Sequence, residues 1–163
     1  MKGLKENKGF TLIELLAVIV VLAIVMVLAV TTVLPYMTQA RKEAFALEAN
    51  TAKDAASSAM SLIMIGSLDE DYYVSYEDGS YCFTIENLMK AGLYEKDAKD
   101  ENDNYVYQGI VKVTQSEDKA YTYEVSLKND QYYVSAISKE VVKGDVNEGA
   151  APNGFATACP AAS

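Results

Sequence analysis

An uninterrupted apolar stretch near the N-terminus constrains the fold of this chain more than any other feature. Every residue in the range 15–30 is apolar, and the wider range 10–34 is interrupted only by three threonines and Glu14. As a helix at about 1.5 Å per residue, the wider range would be roughly 37 Å long, which is enough to cross the hydrocarbon core of a bilayer. We therefore predict one transmembrane helix that begins close to the N-terminus.

The charges that flank the apolar stretch predict its orientation. Lys2, Lys5 and Lys8 precede it, whereas Arg41 and Lys42 after it are offset by two nearby glutamates. Lysine and arginine are enriched on the cytoplasmic side of membrane helices. We expect the N-terminus to lie in the cytoplasm and the rest of the chain outside, so that the protein is a single-pass protein of the cytoplasmic (inner) membrane.

Two ordinary explanations of such a stretch are a secretory signal peptide and a plain signal anchor. The apolar region of a signal peptide is about 7–15 residues long and ends at a small-residue cleavage site, and neither property fits here. A plain anchor leaves Glu14 unexplained, because an unpaired charge in the apolar core of a membrane costs roughly 2.5 kcal/mol or more. Glu14 is therefore a candidate functional residue.

The residues around Glu14 read Lys8-Gly9-Phe10-Thr11-Leu12-Ile13-Glu14. This segment resembles the class III signal sequence of type IV prepilins and pseudopilins, in which a short basic leader ends in Gly and is followed by Phe-Thr-Leu-Ile-Glu. The resemblance implies that a prepilin peptidase cuts between Gly9 and Phe10 and methylates the new Phe10 amine. It also implies that the apolar helix stays on the mature protein and is buried among other copies in a filament.

The resemblance gives Glu14 a role in assembly. The Phe10 ammonium of one subunit would meet the Glu14 carboxylate of a neighbour, which cancels two charges that are costly in an apolar core. The alternative is that Glu14 only reaches towards the membrane interface. Pro35 lacks a backbone N–H, so we expect a helix kink there, although many bacterial relatives place their helix breaker earlier, near Thr31.

After Pro35 the composition predicts that the helix continues to about residue 65 and is capped by Gly66. Its outer half would pack on a sheet through an apolar stripe at steps of three and four residues: Ala40, Ala44, Leu47, Thr51, Ala55, Ala59 and Leu62. The chain is thus divided into a cleaved leader (1–9), a transmembrane and polymerisation helix (10–35), an exposed amphipathic half of the helix (36–66) and a head region (67–163).

The head region is rich in the residue types that are typical of strands and turns, such as Tyr, Val, Thr, Asp, Asn and Gly. We predict a hairpin at Asp78-Gly79 that leads into a strand at 81–84, a short helix at 85–91 between Thr84 and Gly92, and strands at 105–114, 121–127 and 132–137. An antiparallel meander laid across a long helix is the simplest arrangement. The predicted fold class is α+β, which is also the layout that the resemblance to pilins implies.

Composition excludes several other functions. The chain has no histidine, which rules out histidine-based catalysis and histidine-ligated metals, and its formal charge of −9 disfavours nucleic-acid binding. Asp100, Asn102 and Asn104 alternate as at the start of a calcium loop, but Tyr105 stands where an EF-hand needs Gly. We predict no catalytic residues, no cofactor and no metal site, and so no enzyme; a looser calcium site stays open.

Cys82 and Cys159 are the two cysteines of the chain, and both fall in the part expected outside the cytoplasm. Cysteine pairs in exported domains commonly form disulfides, so a Cys82–Cys159 bond that ties down the C-terminal tail is possible. Many pilins have a C-terminal disulfide loop and Gram-positive relatives often lack one. Two reduced cysteines are the alternative.

The functional prediction is a structural subunit of an extracellular type IV pilus, a major pilin of Gram-positive type, that supports adhesion, motility or biofilm formation. Its expected partners are other copies in a helical homopolymer, the prepilin peptidase, the assembly ATPase, the platform protein, minor pilins and, before assembly, the membrane. A type II secretion pseudopilin or a competence pilin is the first alternative. A membrane-anchored adhesin that never polymerises is the second.

Overall fold

The computed structural model describes residues 11–95 and 106–161, without the side chains of Thr31 and Thr32. By their internal contacts the residues form two units, Met1–Ala40 and Arg41–Ser163. Helix α1, Leu12–Met64, provides the described part of the first unit almost entirely and begins the second. The calcium-loop residues Asp100, Asn102 and Asn104 lie outside the described residues.

The long helix that the sequence predicts is present, and its C-terminal end has the predicted glycine. Gly66 adopts φ 68°, a left-handed conformation that glycine tolerates best. The Gly66 amide donates to Ile63 O at 2.9 Å and the Ser67 amide to Leu62 O at 2.8 Å. These two bonds form a Schellman cap, which satisfies carbonyls that the helix end would leave unpaired.

The second unit contains a six-stranded antiparallel sheet whose spatial order follows the sequence. The strands are β1 (Val74–Ser75), β2 (Tyr81–Thr84), β3 (Gln108–Gln115), β4 (Tyr121–Lys128), β5 (Tyr132–Ile137) and β6 (Asn147–Glu148). Helix α2, Ile85–Lys90, follows β2 directly, and one-turn 3₁₀ helices lie at Glu70–Tyr72 and Lys143–Asp145. The described chain therefore has the α+β layout expected of a pilin-like protein.

Local sequence signals explain the short elements. The Thr84 hydroxyl accepts from the Asn87 amide at 3.1 Å, as an N-cap of α2. The Asn129 side chain accepts from the amides of Gln131 and Tyr132, which closes the turn between β4 and β5. The strand predicted at 105–114 is observed as β3, Gln108–Gln115, and the short edge strand β6 was not predicted.

The core of the second unit lies between α1 and one face of the sheet. Alternate strand residues point into it and are fully buried, among them Val111, Val113, Val125, Leu127 and Val134. Helix α1 contributes a buried face made mainly of alanines: Phe45, Ala46, Ala49, Ala52, Ala55, Ala56, Ala59 and Met60. Small side chains let a helix backbone approach the sheet closely.

The predicted apolar stripe of this part of the helix is wrong for most of its members. Ala40, Ala44 and Thr51 are exposed and Leu47 is 65% exposed, whereas only Ala55 and Ala59 of the predicted set are buried. Alanines occur on several sides of the helix, so their spacing gives a weak signal. The large side chains of Phe45 and Met60 at either end of the buried face mark the contact with the sheet instead.

Candidate functional site

The apolar part of α1 presents its side chains outward in the described structure. All large apolar side chains from Leu12 to Leu34 whose surroundings are described are between 49% and 83% exposed. By length and composition this is one helix that could span a membrane. So much exposed apolar surface must be covered by lipid or by other protein, because its contact with water is unfavourable at about 25 cal/mol per Å².

Glu14 lies in the first turn of α1 and is held by Thr11. Its Oε2 accepts from the Thr11 amide at 2.9 Å and from the Thr11 hydroxyl at 3.0 Å. In return, the Glu14 amide donates to Thr11 Oγ1 at 3.3 Å. This reciprocal arrangement is a capping box, which satisfies two backbone donors at the start of a helix.

The capping box gives Glu14 a local role that our sequence analysis missed. Its signal was readable, since a threonine three residues before a glutamate at the start of an apolar helix is the usual pattern. The box also fixes the carboxylate beside the backbone of Thr11, one residue from the expected mature N-terminus. Gly9 and Phe10 themselves lie outside the described residues, so their predicted roles stay predictions.

Pro35 lies inside α1. Because proline has no backbone N–H, it cannot donate the usual hydrogen bond to the carbonyl four residues earlier. The Thr38 hydroxyl donates to Leu34 O at 3.4 Å, a side-chain contact that often accompanies a locally loosened helix. The kink at Pro35 stays a prediction.

Three contacts hold the C-terminal tail, two of them to strands and one to Tyr76, which follows β1. Cys82 on β2 is buried and is joined to Cys159 by a disulfide, with the two Cα atoms 5.8 Å apart. The Tyr76 hydroxyl donates to Pro160 O at 2.9 Å. Phe155 packs edge-on against Tyr133, with ring centroids 6.2 Å apart. These contacts order a tail that has no long regular element of its own.

Two polar residues of α1 hold the segment that follows β5. The Asn50 side chain donates to Val141 O at 2.8 Å and accepts from the Val141 amide at 2.9 Å. Lys53 Nζ donates to the carbonyls of Ser138 and Lys139 at 2.8 and 2.7 Å. Partial burial lowers the pKa of Lys53, and the nearby carboxylates of Asp54 and Glu140 oppose that shift. We call this arrangement the Asn50–Lys53 clamp; no sequence pattern we considered pointed to it.

Within residues 11–95 and 106–161, no three histidine, cysteine, aspartate or glutamate side chains come together as metal ligands would. The two cysteines of the described range are engaged with each other. The feature that most constrains function is the exposed apolar part of α1, residues 12–34, in which Glu14 is the one carboxylate.

Comparison with known proteins gives one finding for this N-terminal segment. The family model of the prokaryotic N-terminal methylation motif matches residues 4–30, which include Gly9, Phe10 and Glu14. No curated protein and no solved structure matches the chain significantly. With this class III signal sequence, a long N-terminal helix and a following antiparallel sheet, the chain fits the type IV pilin-like prepilins.

Proposed function

We propose that this protein is a structural subunit of an extracellular type IV pilus. The observation that carries the proposal is the exposed apolar part of α1, residues 12–34, which overlaps a methylation motif and contains one carboxylate, Glu14. A prepilin peptidase cuts between Gly9 and Phe10 and methylates the Phe10 amine. The helix then stays in the cytoplasmic membrane until subunits are extracted into a filament, with the second unit outside.

In the filament, apolar helices of neighbouring subunits replace the lipid around residues 12–34. This exchange keeps about the same apolar area away from water, so lipid and filament are both acceptable environments for the helix. The direction in which subunits are oriented in the filament and their axial register must then be set by polar groups. The only acidic or basic side chain between Leu12 and Leu34 is Glu14, so it is the group through which register can be set.

The pairing partner we propose for Glu14 is the Phe10 ammonium of a neighbouring subunit. An isolated charge in an apolar core is costly, whereas an ammonium and a carboxylate in contact offset each other. The Thr11 bonds hold the carboxylate at the start of the helix before assembly. A growing filament would thus accept a subunit only at the axial position where its amine reaches the carboxylate.

The proposal is tested by replacing Glu14 with Val in the producing strain. We expect the variant to be cut after Gly9, methylated and retained in the membrane, because the apolar helix is unchanged or more apolar. We expect at least a tenfold loss of subunit from sheared surface filaments, measured by quantitative immunoblotting, with mass spectrometry of the mature N-terminus. Glu14→Val removes both the capping box and the carboxylate, whereas the matched control Thr11→Ala breaks the capping box and keeps the carboxylate. A filament loss in Glu14→Val that exceeds the loss in Thr11→Ala is therefore due to the carboxylate.

Normal filaments from the Glu14→Val strain would contradict the role of Glu14. Immunogold microscopy of the wild type separates the pilus from related assemblies that share the motif. Long surface filaments labelled along their length support a pilus, whereas filaments confined to the envelope would indicate a pseudopilin or a competence pilin. A subunit found only in the membrane, with residues 1–9 still attached, would contradict assembly altogether.

A further inference from the structure

A shallow groove lies in the second unit between α1 and the segment that follows β5. It has a volume of about 370 Å³ and is lined on the helix side by Glu43, Ala46, Leu47 and Asn50 and on the other by residues 140–143. Leu47 is 65% exposed and Val142 is 51% exposed. We call this feature the Leu47–Val142 groove.

Large exposed apolar side chains are few in the described part of the second unit. They are Leu47, Met64, Ile65 and Val142, and two of these four line the groove. Along the same side of α1, the next exposed residues are polar: Thr51, Asp54, Ser58 and Ser61. The groove is therefore a local apolar site on a helix face that is otherwise suited to water.

The two segments that form the groove also differ in net charge from the rest of the described unit. The two segments that form it and its surroundings, residues 41–53 and 138–148, have five basic and five acidic side chains and are neutral overall. The other described residues of the unit have four basic and twelve acidic side chains. Two copies that meet through these segments repel each other less than the net charge of the remaining described residues would suggest.

Ion pairs around the groove keep its charges matched and its wall in place. Lys143 Nζ lies 2.8 Å from Glu43 Oε1, across the groove, and Lys42 Nζ lies 2.9 Å from Glu148 Oε1. The Asn50–Lys53 clamp holds the backbone of residues 138–141 on the helix. Val142 is thus presented next to Leu47 by a fixed segment.

We propose that the Leu47–Val142 groove is a contact between subunits, occupied in the filament by a second copy of this chain. The inference rests on the proposed function, because it assigns a surface to the polymer that function requires. A second copy is the occupant that fits this surface, because the two segments have no net charge whereas the other described residues of the unit have a net charge of −8, from four basic and twelve acidic side chains, and would repel another copy. Burial of Leu47 and Val142 would add an apolar contact outside the helical filament core.

The first test introduces a carboxylate into the groove by Leu47→Glu and, separately, Val142→Glu in the producing strain. We expect sheared filaments to fall at least tenfold, while the processed subunit in the membrane stays at its wild-type amount. Ser58→Glu is the matched control, since it places the same charge on the same side of α1, about 16 Å further along. Filament amounts equal to the wild type in both groove variants would overturn the proposal.

A second test does not depend on how the charged variants fold. A photo-crosslinking amino acid is placed at Leu47 or, as control, at Ser58, and intact filaments are irradiated. We expect dimers and higher multimers of the subunit from position 47 at least fivefold above those from position 58. Equal yields, or a crosslink from position 47 to a different protein, would overturn the contact. If the wild-type strain makes no filaments, the proposed function fails first and this proposal with it.

Discussion

The Asn50–Lys53 clamp makes a quantitative prediction for Asn50. Its amide makes two hydrogen bonds to Val141, of 2.8 and 2.9 Å, and Val141 is only 2% exposed. Asn50→Ala leaves the Val141 N–H and the Val141 C=O without their side-chain partner, and each such loss costs about 1–3 kcal/mol. Because the adjacent groove admits water to one side, we expect the lower half of that range for each bond, or about 2–4 kcal/mol of unfolding free energy in total.

Urea unfolding of the full chain in detergent micelles measures this loss. The chain has twelve tyrosines and no tryptophan, so near-ultraviolet circular dichroism reports the packing of the tyrosines, eleven of which lie in the second unit. Amide hydrogen exchange adds a local readout, because the Val141 amide should exchange faster in the variant. Thr51→Ala is the matched control: the Thr51 hydroxyl bonds only to Leu47 O of its own helix, at 2.9 Å, and its removal should change stability by less than about 0.5 kcal/mol.

An Asn50→Ala variant whose unfolding free energy lies within about 0.5 kcal/mol of the wild type would show that the two bonds to Val141 do not stabilise the fold as expected. Unchanged exchange of the Val141 amide would refute the expectation independently. A large loss in the Thr51→Ala control would mean that this part of α1 is sensitive to any substitution, and the effect of Asn50 could then not be assigned to its two bonds.

Three further predictions concern the second unit. Gly109→Ala should lower the unfolding free energy by about 3 kcal/mol in the same urea assay, because the new Cβ would overlap the Ser126 carbonyl of the neighbouring strand; a neutral effect would mean that β3 and β4 can separate at this point. Cys159→Ser opens a loop whose ends are 77 residues apart in sequence and should cost up to about 4.5 kcal/mol, with faster proteolysis of the tail as the local readout; identical protease resistance would argue that other contacts order the tail. Hydrogen bonds from the Val142 amide and from Lys139 lower the pKa of Asp145 in the folded state. The Asp145 carboxylate therefore stabilises the fold above its unfolded pKa of about 3.9, and this stabilisation is lost as the pH falls through the lower folded pKa. The stability advantage of the wild type over Asp145→Asn should shrink below about pH 4, and a constant difference in unfolding free energy down to pH 2 would contradict the prediction.

The long helix and most of the sheet could be predicted because their signals are local. The apolar run and Gly66 define α1, and the alternation of Tyr121, Tyr123, Val125 and Leu127 places β4 where the structure has it. Thr84 and Gly92 bracket α2, since a cap and a left-handed glycine act within one helical turn. Each of these elements is determined by residues that are neighbours in sequence.

The buried side of α1 could not be predicted in the same way. Which alanines are buried depends on the strands that pack against the helix, and these strands lie far along the chain: Phe45 of the helix packs on Tyr132 of β5. The same is true of the Asn50–Lys53 clamp, because its two side chains bond to backbone N–H and C=O groups of residues 138–141, which have no sequence signature. The capping partner of Glu14 could have been predicted, because Thr11 lies only three residues earlier in the sequence. It was missed because Glu14 was interpreted only as a rare charge in an apolar run.

The composition of α1 separates the energetics of folding from those of assembly. The buried core of the described second unit is formed by residues between Phe45 and Val146, and none of its members lies in the apolar range 12–34. That unit therefore has a hydrophobic core of its own, and under the proposed function the apolar range is left for lipid and then for other subunits. A substitution such as Glu14→Val should for this reason change polymerisation without changing the urea stability of the second unit, whereas Asn50→Ala should lower that stability first. If both substitutions lowered the stability equally, folding and assembly would not be separable in this way.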